Sequence, residues 1–404
     1  MIWMKNGISK SLLTFLILLA GIVRLHAQAD SARYDRPSLC LMMVAHPEQA
    51  FGDEIEIIFR EMNIPERFND HSLGVRVVKF PNTQDENIVK QILNFSDHVQ
   101  LPKKMVAKWF SRNKQTGTFN TDLIAERGLY NANKKDIIIA NNTIRNEALL
   151  ADAGEKLISH TFLVLCDYSY NREYSTSSNR EATEESTYSK KIDVNNAQSV
   201  DAYHSHMYQK DNRLSSFELT CTSYLFRLRW NDSVAAVFYQ DYYCDNMDQA
   251  KVQAFQQDKS TFQIEYVGSC LDKETEINPD GIYTNQQLIK KTCVRLCDKN
   301  LTTLQRAHPE FRIKAPLVST SPLKAYIGMK EGINHLSRFE VLLPIFQKDG
   351  TYSYRRVGII RPIPGKIWDN RFMADEKEQN LDATYFEQLS GGELAPGLLI
   401  REID

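Results

Sequence analysis

Apolar positions in the first half of the chain fall into short continuous runs and helical stripes. Leu39 to Val44 (LCLMMV) is uninterrupted and reads as a buried strand. Asp53 to Met62 (DEIEIIFREM) spaces Ile55, Ile58, Phe59 and Met62 along one helical face, and Gly74 to Phe80 (GVRVVKF) alternates until Pro81 stops it. Strand, helix and strand in that order predict an α/β layer arrangement. Helical patterns continue through Glu86–Phe95 and Lys103–Phe110. Ile144, Ala148, Ala151 and Ile158 predict an amphipathic helix over Thr143–Ser159 that runs into the apolar strand Thr161–Cys166.

The texture changes between Tyr168 and Asn212, where Ser, Thr, Glu, Asn and Tyr dominate and almost no aliphatic side chain anchors the chain; residues 168–212 read as an exposed polar excursion. Beyond it, Phe217–Trp230 and Ala235–Tyr243 are rich in β formers and flank the turn formers Asn231, Asp232 and Ser233, which predicts a hairpin. A helix over Asn246–Gln257, a strand over Thr261–Val267 and a long helix from Thr284 to Arg306 follow, the last opened by a Thr284/Gln287 capping box. From Phe311 onward the runs are short: FRIKAPLVS, LKAYIG, RFEVLLPIF, TYSYRRVGII and GLLIREI, with a hairpin turn at Lys348-Asp349-Gly350. Such spacing predicts a small all-β barrel or sandwich. The chain therefore reads as α+β: a leader over residues 1–29, an α/β region with a mixed sheet over 30–310, and a small all-β barrel over 311–404.

The order Tyr326-Ile327-Gly328-Met329-Lys330-Glu331-Gly332-Ile333, Arg338-Phe339-Glu340-Val341, Val357-Gly358-Ile359-Ile360 and Pro396-Gly397-Leu398-Leu399-Ile400 resembles the SH3-like barrel module at the C-terminus of some periplasmic envelope proteins. The stretch from Gly154-Glu155-Lys156-Leu157-Ile158 to Tyr168 resembles exported bacterial proteins of uncharacterised function. These resemblances imply an SH3-like fold for the C-terminal region and an envelope setting. They carry no catalytic residue.

At the N-terminus, Lys5 and Lys10 precede the apolar run Leu12 to Val23, and Ala27-Gln28-Ala29 supplies a small-x-small cleavage pattern, so a secretory signal peptide cut near Ala29 is expected. The run is shorter than the roughly 17 to 25 residues needed to cross a bilayer, and no later run approaches that length. The expected product is exported, periplasmic or extracellular, and free of a transmembrane segment. Forty-nine basic against 51 acidic side chains leave a net charge of −2, which supports no nucleic-acid partner. All seven cysteines lie beyond the leader, and an odd number leaves at least one unpaired. Cys40 and Cys166, inside apolar runs, read as core.

Candidate chemistry is sparse. On a strand, His204 and His206 would point to the same side and offer two imidazoles to a metal, with Asp201 and Tyr203 nearby; solvated histidines are the alternative. Cys293 and Cys297 stand one helical turn apart but share the apolar stripe of Ile289, Leu296, Leu301 and Leu304, so packing is favoured over redox work. His46 and Glu48 follow the first strand, where α/β proteins often place ligands. Tyr239, Tyr242, Tyr243 and Tyr266 offer flat rings of the kind that contact glycans or peptides, or fill a core. In the predicted hairpin, a four-residue loop would set Cys221 opposite Cys244, within disulfide range. No phosphate loop, nucleophile elbow or metalloprotease motif is present in a convincing context, and no cofactor is expected. The sequence thus favours a non-catalytic binding or assembly protein of the bacterial cell envelope, its partner an envelope protein or a glycan. The alternative is a secreted hydrolase that assembles His46 or His204 with a distant carboxylate.

Overall fold

In the computed structural model, residues 36–80, 87–131, 157–170, 214–278, 281–346, 352–374 and 381–403 are described. The leader, most of the Thr143–Ser159 helix, the excursion beyond Tyr170 with His204 and His206, and the Lys348–Gly350 turn lie outside them. The chain is α+β, with a mixed sheet followed by an antiparallel one.

The first sheet is centred on β1 (Ser38–Val44). β2 (Asn69–Asp70) and β3 (Val77–Val78) pair with it in parallel on one side, and β4 (Thr161–Tyr170) pairs in parallel on the other. β5 (Ser216–Leu228) and β6 (Ile264–Ile277) continue the sheet antiparallel. Every residue of β1 is buried, because both faces are covered. Leu39, Leu41 and Met43 meet α1 (Gly52–Glu61) and α7 (Asn285–Ala307). Cys40, Met42 and Val44 belong to the opposite core with α2 (Ile88–His98), α3 (Leu101–Trp109) and α4 (Asp122–Asn131).

Several polar groups inside the second core are matched. Trp109 Nε1 donates to Thr161 Oγ1 at 2.8 Å. His71 Nε2 donates to the Met105 carbonyl at 2.9 Å, and Arg127 Nη1 donates to His71 Nδ1 at 3.0 Å while the guanidinium lies over the Trp109 ring. Burial, reinforced by the Arg127 charge, pushes the His71 pKa down to about 3, so the imidazole is neutral.

The predicted hairpin does not form. Residues after Asn231 make α5 (Asp232–Val237) and a wider π-type turn over Phe238–Tyr242. The Asn231 side chain accepts from Val234 N at 3.0 Å, so the residues read as turn formers are a helix cap. Val234, Phe238 and Tyr242, spaced four apart, enter the second core, where Phe238 meets Phe110, Phe119, Phe255 and Phe262. The register that would have opposed Cys221 and Cys244 is therefore absent. Cys221 sits on β5 between Tyr168 and Asp272, and both thiols are free and buried.

Other boundaries shift less. The Gly74–Phe80 strand contracts to β3, α6 begins at Gln249 (Gln249–Gln257), and β6 runs ten residues past Val267 along the sheet edge. α7 has the predicted capping box, with Thr284 Oγ1 accepting from Gln287 N at 3.2 Å.

The C-terminal sheet runs β7 (Ala315–Pro316), β13 (Leu399–Ile403), β10 (Arg338–Phe346), β11 (Tyr352–Pro362), β12 (Thr384–Gly391), β9 (Leu323–Ala325), β8 (Ser319–Thr320). Its two end strands are separated in sequence only by Leu317 and Val318, so one short segment serves both ends and the sheet curls around a core of its own. Leu317, Ile327, Phe339, Val341, Ile360, Phe386 and Ile400 fill that core. The closing strand pairs with β10 and β7, as expected of a last strand entered from Pro396-Gly397.

Candidate functional site

β1 sends the next strands of the chain to one side and β4 to the other, which makes the gap beyond their carboxyl ends a topological switch point, the place where open α/β sheets bind ligands. His46 leaves β1 into this gap, and Asp167 lies on β4 just beyond Cys166, the partner of Met43. His46 Nε2 is 2.6 Å from Asp167 Oδ1, and His46 Nδ1 is 3.0 Å from Glu48 Oε1. The hydrogen bond to Asp167 is the main force raising the His46 pKa, ahead of the burial that opposes it, with Glu48 adding to the rise. Glu48 is itself held below its usual range, chiefly by its own backbone N–H. The imidazole is thus clasped between two carboxylates, which favour its protonated form. Burial first, then the Asp167 charge, pushes the neighbouring Tyr224 phenol up to about 12.

The loop that carries His46 is tightly built. Gln49 N donates to the His46 carbonyl at 3.1 Å, and Gln49 Oε1 accepts from Tyr170 N at 3.2 Å, tying the loop to β4. A Cβ at Gly52 would stand 2.1 Å from the His46 carbonyl oxygen, so only glycine permits this approach. Phe51 adopts a left-handed backbone (φ 61°), held by edge contacts of its ring with Tyr170 and Phe217. Sequence reasoning located His46 and Glu48 but missed Asp167, whose one local signal is a charge at the end of an apolar strand.

With both nitrogens engaged, His46 stabilises negative charge as it stands. If the 64%-exposed Glu48 swings away, Nδ1 is released while Asp167 still orients the ring, which is the geometry of a general base. Among the described residues, no hydroxyl or thiol is hydrogen-bonded to His46, and no group of three His, Cys, Asp or Glu side chains could hold a metal ion.

The remaining candidates are placed as follows. His204 and His206 lie outside the described residues. Cys293 and Cys297 are buried on the apolar face of α7; burial raises the Cys293 thiol, and a hydrogen bond with Cys166, then burial, raises that of Cys297. Cys40 is pushed up to about 12 by burial. Tyr242 is buried, and Tyr239 and Tyr243 pack around Phe110 and Phe238, so these three rings build core; Tyr266 alone of the four is exposed.

A second site lies where the C-terminal end of α7 meets the barrel. Its pocket, of about 60 Å³, has Ile313, Ile327, Ile333, Phe339 and Ile400 on its apolar walls. Arg306, Arg312, Arg401, Glu331 and Glu402 also line it. Arg306 clasps Glu402 through two bonds of 3.0 Å, joining helix to barrel at the pocket's edge. Nothing in the local sequence marked this pocket, since its lining comes from five separated segments.

No protein-family model matches the chain, and no curated protein matches it. No helix among the described residues is long and apolar enough to cross a membrane.

Proposed function

We propose that the chain is a non-catalytic binding or assembly protein, exported to the bacterial cell envelope, which engages an envelope protein or glycan through the pocket between α7 and the barrel. One observation carries this reading. The pocket has apolar walls and a polar, charged lining, the make-up of a recognition site, and it lies at a seam between two structural units, where such sites concentrate. The leader-like N-terminus supports export, and the SH3-like resemblance of residues 311–404 supports an envelope role. Ile313, half-buried in the pocket wall, provides the test: Ile313→Trp fills the space. Cross-linking the mature protein in its own envelope extract should recover a partner that the Ile313→Trp variant, folded by circular dichroism, loses. The same partner recovered by both proteins would remove the pocket from the reading.

The His46–Asp167 contact of 2.6 Å at the switch point favours a second reading, a secreted hydrolase. A panel of ester, peptide and glycoside substrates decides it: turnover abolished by His46→Ala would establish the enzyme, and no turnover on any substrate would leave the binder.

A further inference from the structure

Every charged side chain that lines the pocket between α7 and the C-terminal sheet is already engaged inside the protein. Arg306 is held by Glu402, and Arg401 donates through Nε to Glu340 Oε1 at 2.7 Å. Arg312 donates to the backbone carbonyls of Gln305 and Arg306. Glu402 also accepts from Ser337 Oγ at 2.8 Å, and Glu331 is held by Arg67, Gly328 N and Asn370 Nδ2. The neutral polar groups are spent as well. Thr302 Oγ1 donates to the Asp298 carbonyl at 2.9 Å, and Gln305 is buried, its amide nitrogen without accessible surface.

What the pocket offers an occupant is therefore apolar. Ile313 is half-buried in the wall, Ile327 and Ile333 complete it, and the surface exposed to an occupant is mainly apolar. A charged group or a sugar hydroxyl entering here gives up its water and meets no unengaged partner, a loss that an aliphatic group does not incur. Size points the same way. A volume of about 60 Å³, against about 10–15 Å³ for one water on the same measure, leaves room for roughly four to six non-hydrogen atoms. A leucine, isoleucine or methionine side chain fits that space; a hexose or a lipid acyl chain does not.

We infer that the pocket receives one uncharged aliphatic side chain, of leucine size, from a partner protein. The inference rests on the binding reading above and chooses the protein over the glycan. An aliphatic anchor seated in a pocket and rimmed by satisfied polar groups is how binding interfaces are built.

NMR of the full mature chain, labelled at its isoleucine methyl groups, tests the inference with four probes: the N-acetyl amides of leucine, asparagine and aspartate, and methyl glucoside. Asparagine and aspartate have nearly the shape of leucine, so they vary polarity and charge at constant size. The leucine amide should shift the methyl signals of Ile313, Ile327 and Ile333 saturably, and at least about tenfold more tightly than any other probe, the size of effect that burying a leucine side chain supplies. Ile313→Trp should abolish the shifts at Ile327 and Ile333. The comparison among probes on the native protein needs no variant, so misfolding of Ile313→Trp cannot hide the answer. Asparagine or aspartate amide bound as tightly as leucine would overturn the apolar assignment, and methyl glucoside bound as tightly would overturn the choice of protein over glycan. Shifts that persist undiminished in Ile313→Trp would overturn the placement of the side chain in this pocket. If the leucine amide moves none of these methyls while Ile313→Trp still loses its partner in extract, the inference falls and the binding reading stands; if Ile313→Trp loses no partner either, both fall.

Discussion

Arg67 Nη1 lies 3.3 Å from Glu331 Oε1, across 264 residues of sequence. The same guanidinium stands 3.5 Å from Asp298 on α7, so one buried cation ties the segment after α1 to the long helix and to the barrel. Burial raises the Asp298 pKa while Arg67 pulls it back. Removing the cation leaves both carboxylates without their buried counter-charge. Arg67→Met should cost about 3–5 kcal/mol in urea unfolding, the usual penalty for breaking a buried pair from one side. Adding Asp298→Asn and Glu331→Gln should recover most of that loss, because no unpaired charge then remains.

The clasped imidazole of His46 has a signature in pH. Its folded-state pKa is raised above the ordinary value of 6.5, so its contribution to stability is complete below that value and is lost as pH climbs through the higher folded-state value. NMR titration of the His46 ring should give a midpoint above 6.5, and Asp167→Asn should bring it down. A midpoint unchanged in Asp167→Asn would mean that the 2.6 Å contact does not govern the proton.

His71 works in the opposite sense. Its folded-state pKa, near 3, lies below the unfolded value, so its stability is present above about 6.5 and is lost as pH falls. At pH 4.5 the displacement of two units costs about 3 kcal/mol, at about 1.4 kcal/mol per unit. His71→Gln should therefore flatten the decline in urea midpoint between pH 6.5 and 4.5. An equally steep decline in the variant would assign the acid sensitivity to other groups.

Gly52 controls the loop that presents His46. Gly52→Ala would drive a methyl into the His46 carbonyl, 2.1 Å from the ideal Cβ position, so the loop must move. The expected result is a loss of about 1–3 kcal/mol together with a fall in the His46 midpoint. Gly365, whose Cβ would meet nothing within 4 Å but which has φ 74°, is the control: Gly365→Ala should strain only its own turn and leave His46 unchanged.

The curled C-terminal sheet packs an apolar core of its own and should fold by itself. A fragment spanning residues 310–404 should melt in one cooperative transition, and deletion of residues 398–403 should abolish it, since β13 lies between β7 and β10. An unfolded fragment from a stable parent would show that α7 and Arg67 supply what the barrel lacks.

Much of this architecture is written locally. The burial of β1 from Leu39 to Val44 follows from LCLMMV, the start of α7 from Thr284 and Gln287, and the late strands from short β-rich runs set off by turn residues. Each of these depends on neighbours within about one helical turn or one hairpin, distances over which periodicity and capping act. Local chemistry was ambiguous at Asn231-Asp232-Ser233, because the side chains that make turns also cap helices; tertiary packing of Phe238 among seven other aromatic rings decided for the helix. The sites lie beyond local reach altogether. His46 and Glu48 were visible as a pair two residues apart, but Asp167 joins them only through the parallel register of β1 and β4, and Gln305 lines one pocket with Ile327 and Ile400 only because the C-terminal sheet docks on α7. Parallel pairing and docking bring together residues separated by tens to hundreds of positions, and no pattern within either segment encodes that meeting. The sequence by itself determined most of the elements and buried faces; only the tertiary structure decided the helix after Asn231, which charge faces which, and where the pocket opens.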